Sequence, residues 1–92
     1  MYKITDYSYN KAKKLNVKIK PSKKSNYKID VLDTNNNYIT SIGHKKYNDF
    51  PTYIKTDGLE YAKERRKLYK KRHDKDRNIT GSRGYYADKI LW

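Results

Sequence analysis

Tyrosine is the commonest bulky residue in this chain, at eleven of 92 positions, and that choice limits the kind of core it can build. A tyrosine ring fills space as a core residue does, but its hydroxyl needs a hydrogen-bonding partner or water. A core made largely of such rings is expected to be shallow, with ring bodies inside and hydroxyls at its edge. The length allows one small domain, 1–92, and no more. Cysteine is absent, so neither disulfides nor cysteine-ligated zinc can reinforce the fold. Contact with a partner is the remaining way to stabilise such a chain.

The formal charge of +13 predicts salt-sensitive attraction to a polyanion or to an acidic protein surface. The charge is unevenly placed. Residues 1–28 carry net +8, residues 29–54 net −1 and residues 55–77 net +5. The chain is also rich in Lys, Asn, Tyr and Ile, which AT-rich codons encode. Scattered lysines are therefore weaker indicators of a binding face than clustered arginines. Arginine occurs only at positions 65, 66, 72, 77 and 83, all in the final third. The opening MYKITDYSYNKAKKLN has no apolar run of signal-peptide length, and no run approaches a membrane span. A soluble protein made in a cytoplasm, without membrane contact, is the expectation.

Local patterning predicts an α+β fold: a small β-hairpin or three-stranded sheet, then a long basic helix and a short C-terminal helix. Residues 1–56 should hold a short N-terminal helix, the sheet and a pinned linker; residues 57–92 should be the helical part. In the first helix Asp6 or Ser8 is the expected cap, with Tyr9, Ala12 and Leu15 along one side. VKIKP alternates and stops at Pro21. YKIDVLD and YITSIG alternate around TNNN, whose asparagines tolerate the left-handed backbone of a turn. HKKYNDFPTYIKTDG reads as an extended linker, too apolar to stay in water and hence pinned to the sheet or a neighbour. Asp57 with Glu60 matches a capping box for the long helix. On that helix Leu59, Ala62, Arg66, Tyr69 and His73 form one stripe, and Tyr61, Leu68 and Arg72 an adjacent one. Ser82 is the expected cap of a last helix reaching Trp92.

No catalytic constellation emerges. His73, Asp74 and Asp76 are close in sequence, but their spacing spreads them around a helix axis and offers no shared metal site. GSRGYYA lacks the spacing and the terminal Lys-Ser or Lys-Thr of a phosphate loop. Its glycines read as a helix-to-helix turn. The expectation is a non-enzyme with no cofactor, no metal and no small-molecule substrate. The candidate anion or partner contacts are Arg65, Arg66, Lys70, Arg72, Arg77 and Arg83, the arginines because guanidinium groups suit planar, bidentate partners and Lys70 as a charge among them. Tyr85, Tyr86, Leu91 and Trp92 are candidate aromatic and apolar anchors, packing on the long helix, docking on a partner, or both.

The stretches YNDFPTYI, YAKERRKLYKKRH and GSRGYYADKILW, within the half from about Gly43 to Trp92, resemble a family of short basic proteins of uncharacterised role. These are encoded by tailed phages and large DNA viruses. The resemblance implies a viral gene product associated with the particle, and supports no catalytic residue. Two functions follow as expectations. The first is a virion structural accessory, made in the host cytoplasm and bound to capsid or other virion proteins or to packaged DNA. The second is a nucleic-acid-binding module acting in the infected cell, with the hairpin tyrosines for base stacking and the lysines for the backbone.

Overall fold

The computed structural model describes residues 2–92. The alternating stretches form a three-stranded antiparallel sheet in the order β1-β2-β3, with β1 at Lys18–Pro21, β2 at Tyr27–Leu32 and β3 at Tyr38–His44. Ile19 faces Val31 across one pair and Ile29 faces Ile42 across the other, so the aliphatic positions meet in register. Ile29, Val31 and Ile42 are fully buried. The β2–β3 turn works as its composition requires. Asp33 Oδ1 accepts the backbone N–H groups of Asn35 and Asn37, both at 2.9 Å, and Asn36 takes a left-handed φ of 67°.

Helix α1 spans Asp6–Lys14. Its cap is Thr5, whose hydroxyl accepts from Ser8 N, rather than Asp6 or Ser8. Ser8 instead turns inward, where its hydroxyl donates to the carbonyl of Ile90 at 2.9 Å and ties the first helix to the last. The buried side of α1 is thus Ser8 and Ala12, while Tyr9 is 46% exposed. A hydroxyl paired to a helix carbonyl can be buried at little cost, which periodicity alone does not reveal.

The expected linker is in fact a helix. Residues Phe50–Asp57 form α2, with Asp49 at the N-cap accepting from Thr52 N at 3.0 Å and Pro51 in the first turn. Proline suits that position because its missing N–H would have no helical partner there. Asp57 ends α2 and does not begin the next helix. Helix α3, Leu59–Arg72, starts at Gly58, whose φ of 92° forms the corner between the two, and no side chain caps it. The inward stripe of α3 is the predicted one except at its start: Ala62 is buried, Arg66, Tyr69 and His73 are half-buried, and Leu59 is 47% exposed. After a 3-10 turn at Asp76–Asn78, Ser82 caps α4, Arg83–Leu91, by accepting from Tyr85 N.

One core joins these parts. Ile29, Val31 and Ile42 of the sheet pack with Phe50 of α2, Ala62 of α3 and Ala87, Ile90 and Leu91 of α4. Half-buried Tyr2, Tyr7, Tyr53, Tyr69 and Tyr86 surround it, the shallow tyrosine-edged arrangement that the composition implies. Gly43 allows α4 to approach the sheet. Its φ is +75°, and a Cβ there would stand 2.6 Å from Leu91 Cδ1. No helix is long and apolar enough to cross a membrane among the described residues.

Candidate functional site

A buried ion pair fixes the junction between sheet and α2. Lys28, on the central strand, reaches Asp49 Oδ2 at 3.0 Å and also donates to the Tyr47 carbonyl. The same carboxylate oxygen accepts from the Tyr2 hydroxyl at 2.7 Å, while Oδ1 caps α2. Burial alone would raise the Asp49 pKa, but Lys28, Thr52 and Tyr2 outweigh it and hold the group below the usual carboxylate range. Burial and this carboxylate both push the Tyr2 hydroxyl well above its ordinary value. The loop after β3 is thereby pinned, and it carries Tyr47 outward.

Beside that loop opens a cleft of about 890 Å³. The sheet side supplies Tyr27, His44 and Tyr47; α2 and α3 supply Tyr53, Arg65, Tyr69, Arg72 and His73. Arg83 and Trp92 line it from α4. Its aromatic wall is a ladder. Trp92 stacks on Tyr69 with centroids 4.3 Å apart and planes 9° apart, and Tyr69 continues to His73 at 4.5 Å. Burial, then the charges of Asp88 and Asp76, push the Tyr69 hydroxyl up to about 12. By contrast Tyr47 is 69% exposed, with His44 beside it at 5.5 Å, so much of its ring is open to a planar ligand.

The candidate contact residues divide between several places. Arg65, Arg72 and Arg83 converge on the cleft. Arg65 lies over the Tyr53 ring at 5.6 Å, and Arg83 lies over Tyr27 at 4.8 Å while its Nε donates to the Ser41 carbonyl at 3.0 Å. Arg72 is exposed. Arg66 and Lys70 are outside the cleft lining, Arg66 over Phe50 at 4.1 Å and Lys70 bound to Asp88 at 2.7 Å. Arg77 serves the end of α3, bonding the Lys70 carbonyl at 3.1 Å and Asp74 at 2.8 Å.

The anchor residues pack internally. Leu91 is 1% and Trp92 8% exposed, so both pack mainly inside the fold, and the little that shows lies on the cleft wall. Tyr86 packs on the core and Tyr85 lies edge-on to it at 5.4 Å. The terminal stretch completes the core, with Ile90, Leu91 and Trp92 all buried in it. Among the cleft residues that the arginine-based reading leaves out are His44, Tyr47 and Tyr53. Their only sequence signal is the apolar, aromatic character of the segment first taken as a linker. His73 pairs with Asp76 at 3.3 Å and Asp74 turns to Arg77. Among the described residues no three His, Asp or Glu side chains come together as a metal site.

Comparison with family models, with curated proteins and with solved structures returned no match.

Proposed function

We propose that this protein binds single-stranded nucleic acid through the cleft, as a binding module and not a catalyst. The observation that carries the reading is the convergence of Arg65, Arg72 and Arg83 on one cleft with the exposed ring of Tyr47 at its edge. Strand binding without strong sequence preference uses such a combination: cations for the phosphates and aromatic faces for the bases. The overall charge of +13 adds long-range attraction to the same partner.

The test is fluorescence anisotropy with labelled (dT)8 across a series of salt concentrations. Tyr47→Ala is expected to lose affinity about tenfold, the lower part of the range for losing one stacked base. Arg72→Gln should reduce the slope of log K against log salt by about 0.7. Both positions are exposed, so circular dichroism should show an unchanged fold. Absence of binding by the wild type, or a Tyr47→Ala affinity equal to it, would sink the reading.

A second reading has its own observation. Tyr61 and Leu68, one heptad apart on the outward side of α3, are 47% and 51% exposed beside the exposed Arg72. An apolar pair with a cationic neighbour suits an acidic protein surface, as a virion accessory protein made in the host cytoplasm would require. Quantitative mass spectrometry of purified, nuclease-treated particles tests it. A fixed ratio to the shell subunit is expected, and absence from particles refutes it.

A further inference from the structure

A second group of cations gathers where α1, α3 and α4 meet, on residues that the cleft does not use. Helix α1 brings Lys11 and Lys14, α3 brings Arg66 and Lys70, and α4 brings Lys89. Their positions are set by packing. The Lys11 ammonium lies 5.4 Å from the centre of the Tyr7 ring, Tyr7 rests on Phe50 at 5.5 Å, and Arg66 covers Phe50 at 4.1 Å. Lys70 and Lys89 both approach the buried carboxylate of Asp88, at 2.7 and 3.6 Å. The Ser8 bond to the Ile90 carbonyl locks α1 against α4 at the same junction.

Lys70 and Lys89 share the Asp88 carboxylate, while Lys11 and Arg66 stand over the adjoining aromatic rings of Tyr7 and Phe50. Lysines placed only for solubility would stand on the open surface, as Lys13 does on α1. Here burial of Lys11, with the charges of Lys70, Arg66 and Lys14 nearby, lowers the proton affinity of its ammonium. Asp88 offsets part of this like charge, and an anion arriving at the junction would offset more of it. The junction is also next to the cleft in sequence. Arg65 lines the cleft while the consecutive Arg66 covers Phe50, so α3 is a ridge with cations on both sides.

We propose that the α1–α3–α4 junction is a second phosphodiester-binding surface, engaged by strands long enough to leave the cleft and cross α3. The proposal rests on the single-strand reading above. It assigns Lys11, Lys14, Arg66, Lys70 and Lys89 to backbone phosphates, with no part in base stacking.

The experiment compares (dT)3 with (dT)16 on the wild type and on a Lys11→Gln/Lys14→Gln variant. For (dT)16 the variant's salt slope should be shallower by about 1.4, two charges at about 0.7 each for single strands. Its binding of (dT)3 should be unchanged. Its melting temperature should hold or rise, because repulsion at the junction is relieved. Lys14→Gln alone, at an exposed position, should lower the slope by about 0.7 without touching the packed Lys11 stem. An unaltered (dT)16 slope in both variants, with wild-type binding intact, overturns the junction and leaves the cleft standing. No binding of either strand by the wild type overturns both. Equal salt-dependent binding of poly-glutamate, weakened alike by the variants, replaces the phosphodiester with an acidic protein surface.

Discussion

Removing the charge from Asp49 should cost more stability than any exposed substitution, and it should cost less when Lys28 is neutralised as well. The side chains of Lys28 and Asp49 are 7% and 2% exposed, with a 3.0 Å contact between them. Deleting one partner of such a pair leaves an uncompensated buried charge, at a cost of about 3–5 kcal/mol. The whole fold, at roughly 0.05–0.15 kcal/mol per residue, has about 5–14 kcal/mol for a chain of 92 residues. Asp49→Ala would also remove the α2 cap, worth about 1 kcal/mol, and would leave little stable protein to measure. Asp49→Asn keeps an oxygen for Thr52 N and isolates the charge. Asp49→Asn and Lys28→Met are each expected to lose about 3 kcal/mol, and the double variant about the same, a coupling of roughly 2–3 kcal/mol. Urea unfolding followed by far-UV circular dichroism reads this directly. With a slope of about 1–1.5 kcal/mol/M, each single variant should move the midpoint down by roughly 2–3 M. Losses that add within about 0.5 kcal/mol would refute the coupling and with it the view that this pair pins the β3–α2 loop. The pH dependence has a fixed sign. Asp49 is held below its unfolded value, near 3.9, so its contribution is complete above that pH and lost as pH falls through the folded value. Asp49→Asn should abolish that part of the acid transition.

Gly43→Ala forces a side chain into a backbone with φ of +75° and against Leu91 Cδ1, and should destabilise by about 2–3 kcal/mol in the same urea assay. An effect below about 0.5 kcal/mol would mean that α4 can move away from the sheet freely. Trp92→Ala removes the ring stacked on Tyr69 and should cost about 3–5 kcal/mol, with loss of the tryptophan bands from the near-UV circular dichroism spectrum. Near wild-type stability in that variant would place the terminal aromatic outside the core.

The residues differ in how openly they announce their roles. The hairpin was legible because alternation and the asparagine turn are local, and Ser82 as a cap because its partner is three residues away. Helix α2 was legible in principle, since Asp49 followed closely by Pro51 is a helix start, but Pro51 and Gly58 also look like linker punctuation. The reading of α3 failed at its first turn for a related reason: Asp57 and Glu60 have capping-box spacing, yet Asp57 belongs to the helix before. Ser8 shows the limit of apolar periodicity, because a hydroxyl faces the core where Tyr9 was expected to. The contact set was harder still. Arg65, Arg66, Arg72, Arg77 and Arg83 look alike in sequence, and only their neighbours separate the cleft from Phe50, the end of α3 and the sheet.

What the sequence determined by itself was therefore the set of local elements, the cationic character and the tyrosine-edged core, each a consequence of near-neighbour chemistry or of composition. Tertiary structure alone decided which charges are spent inside the fold and which remain for a partner. Lys28 and Asp49 are 21 residues apart, and Lys70 and Asp88 are 18 apart. Electrostatic and stacking energies depend on distance and burial in space, so pairs like these, and the cleft lined by Tyr47 and three arginines, exist only once the chain has closed on itself.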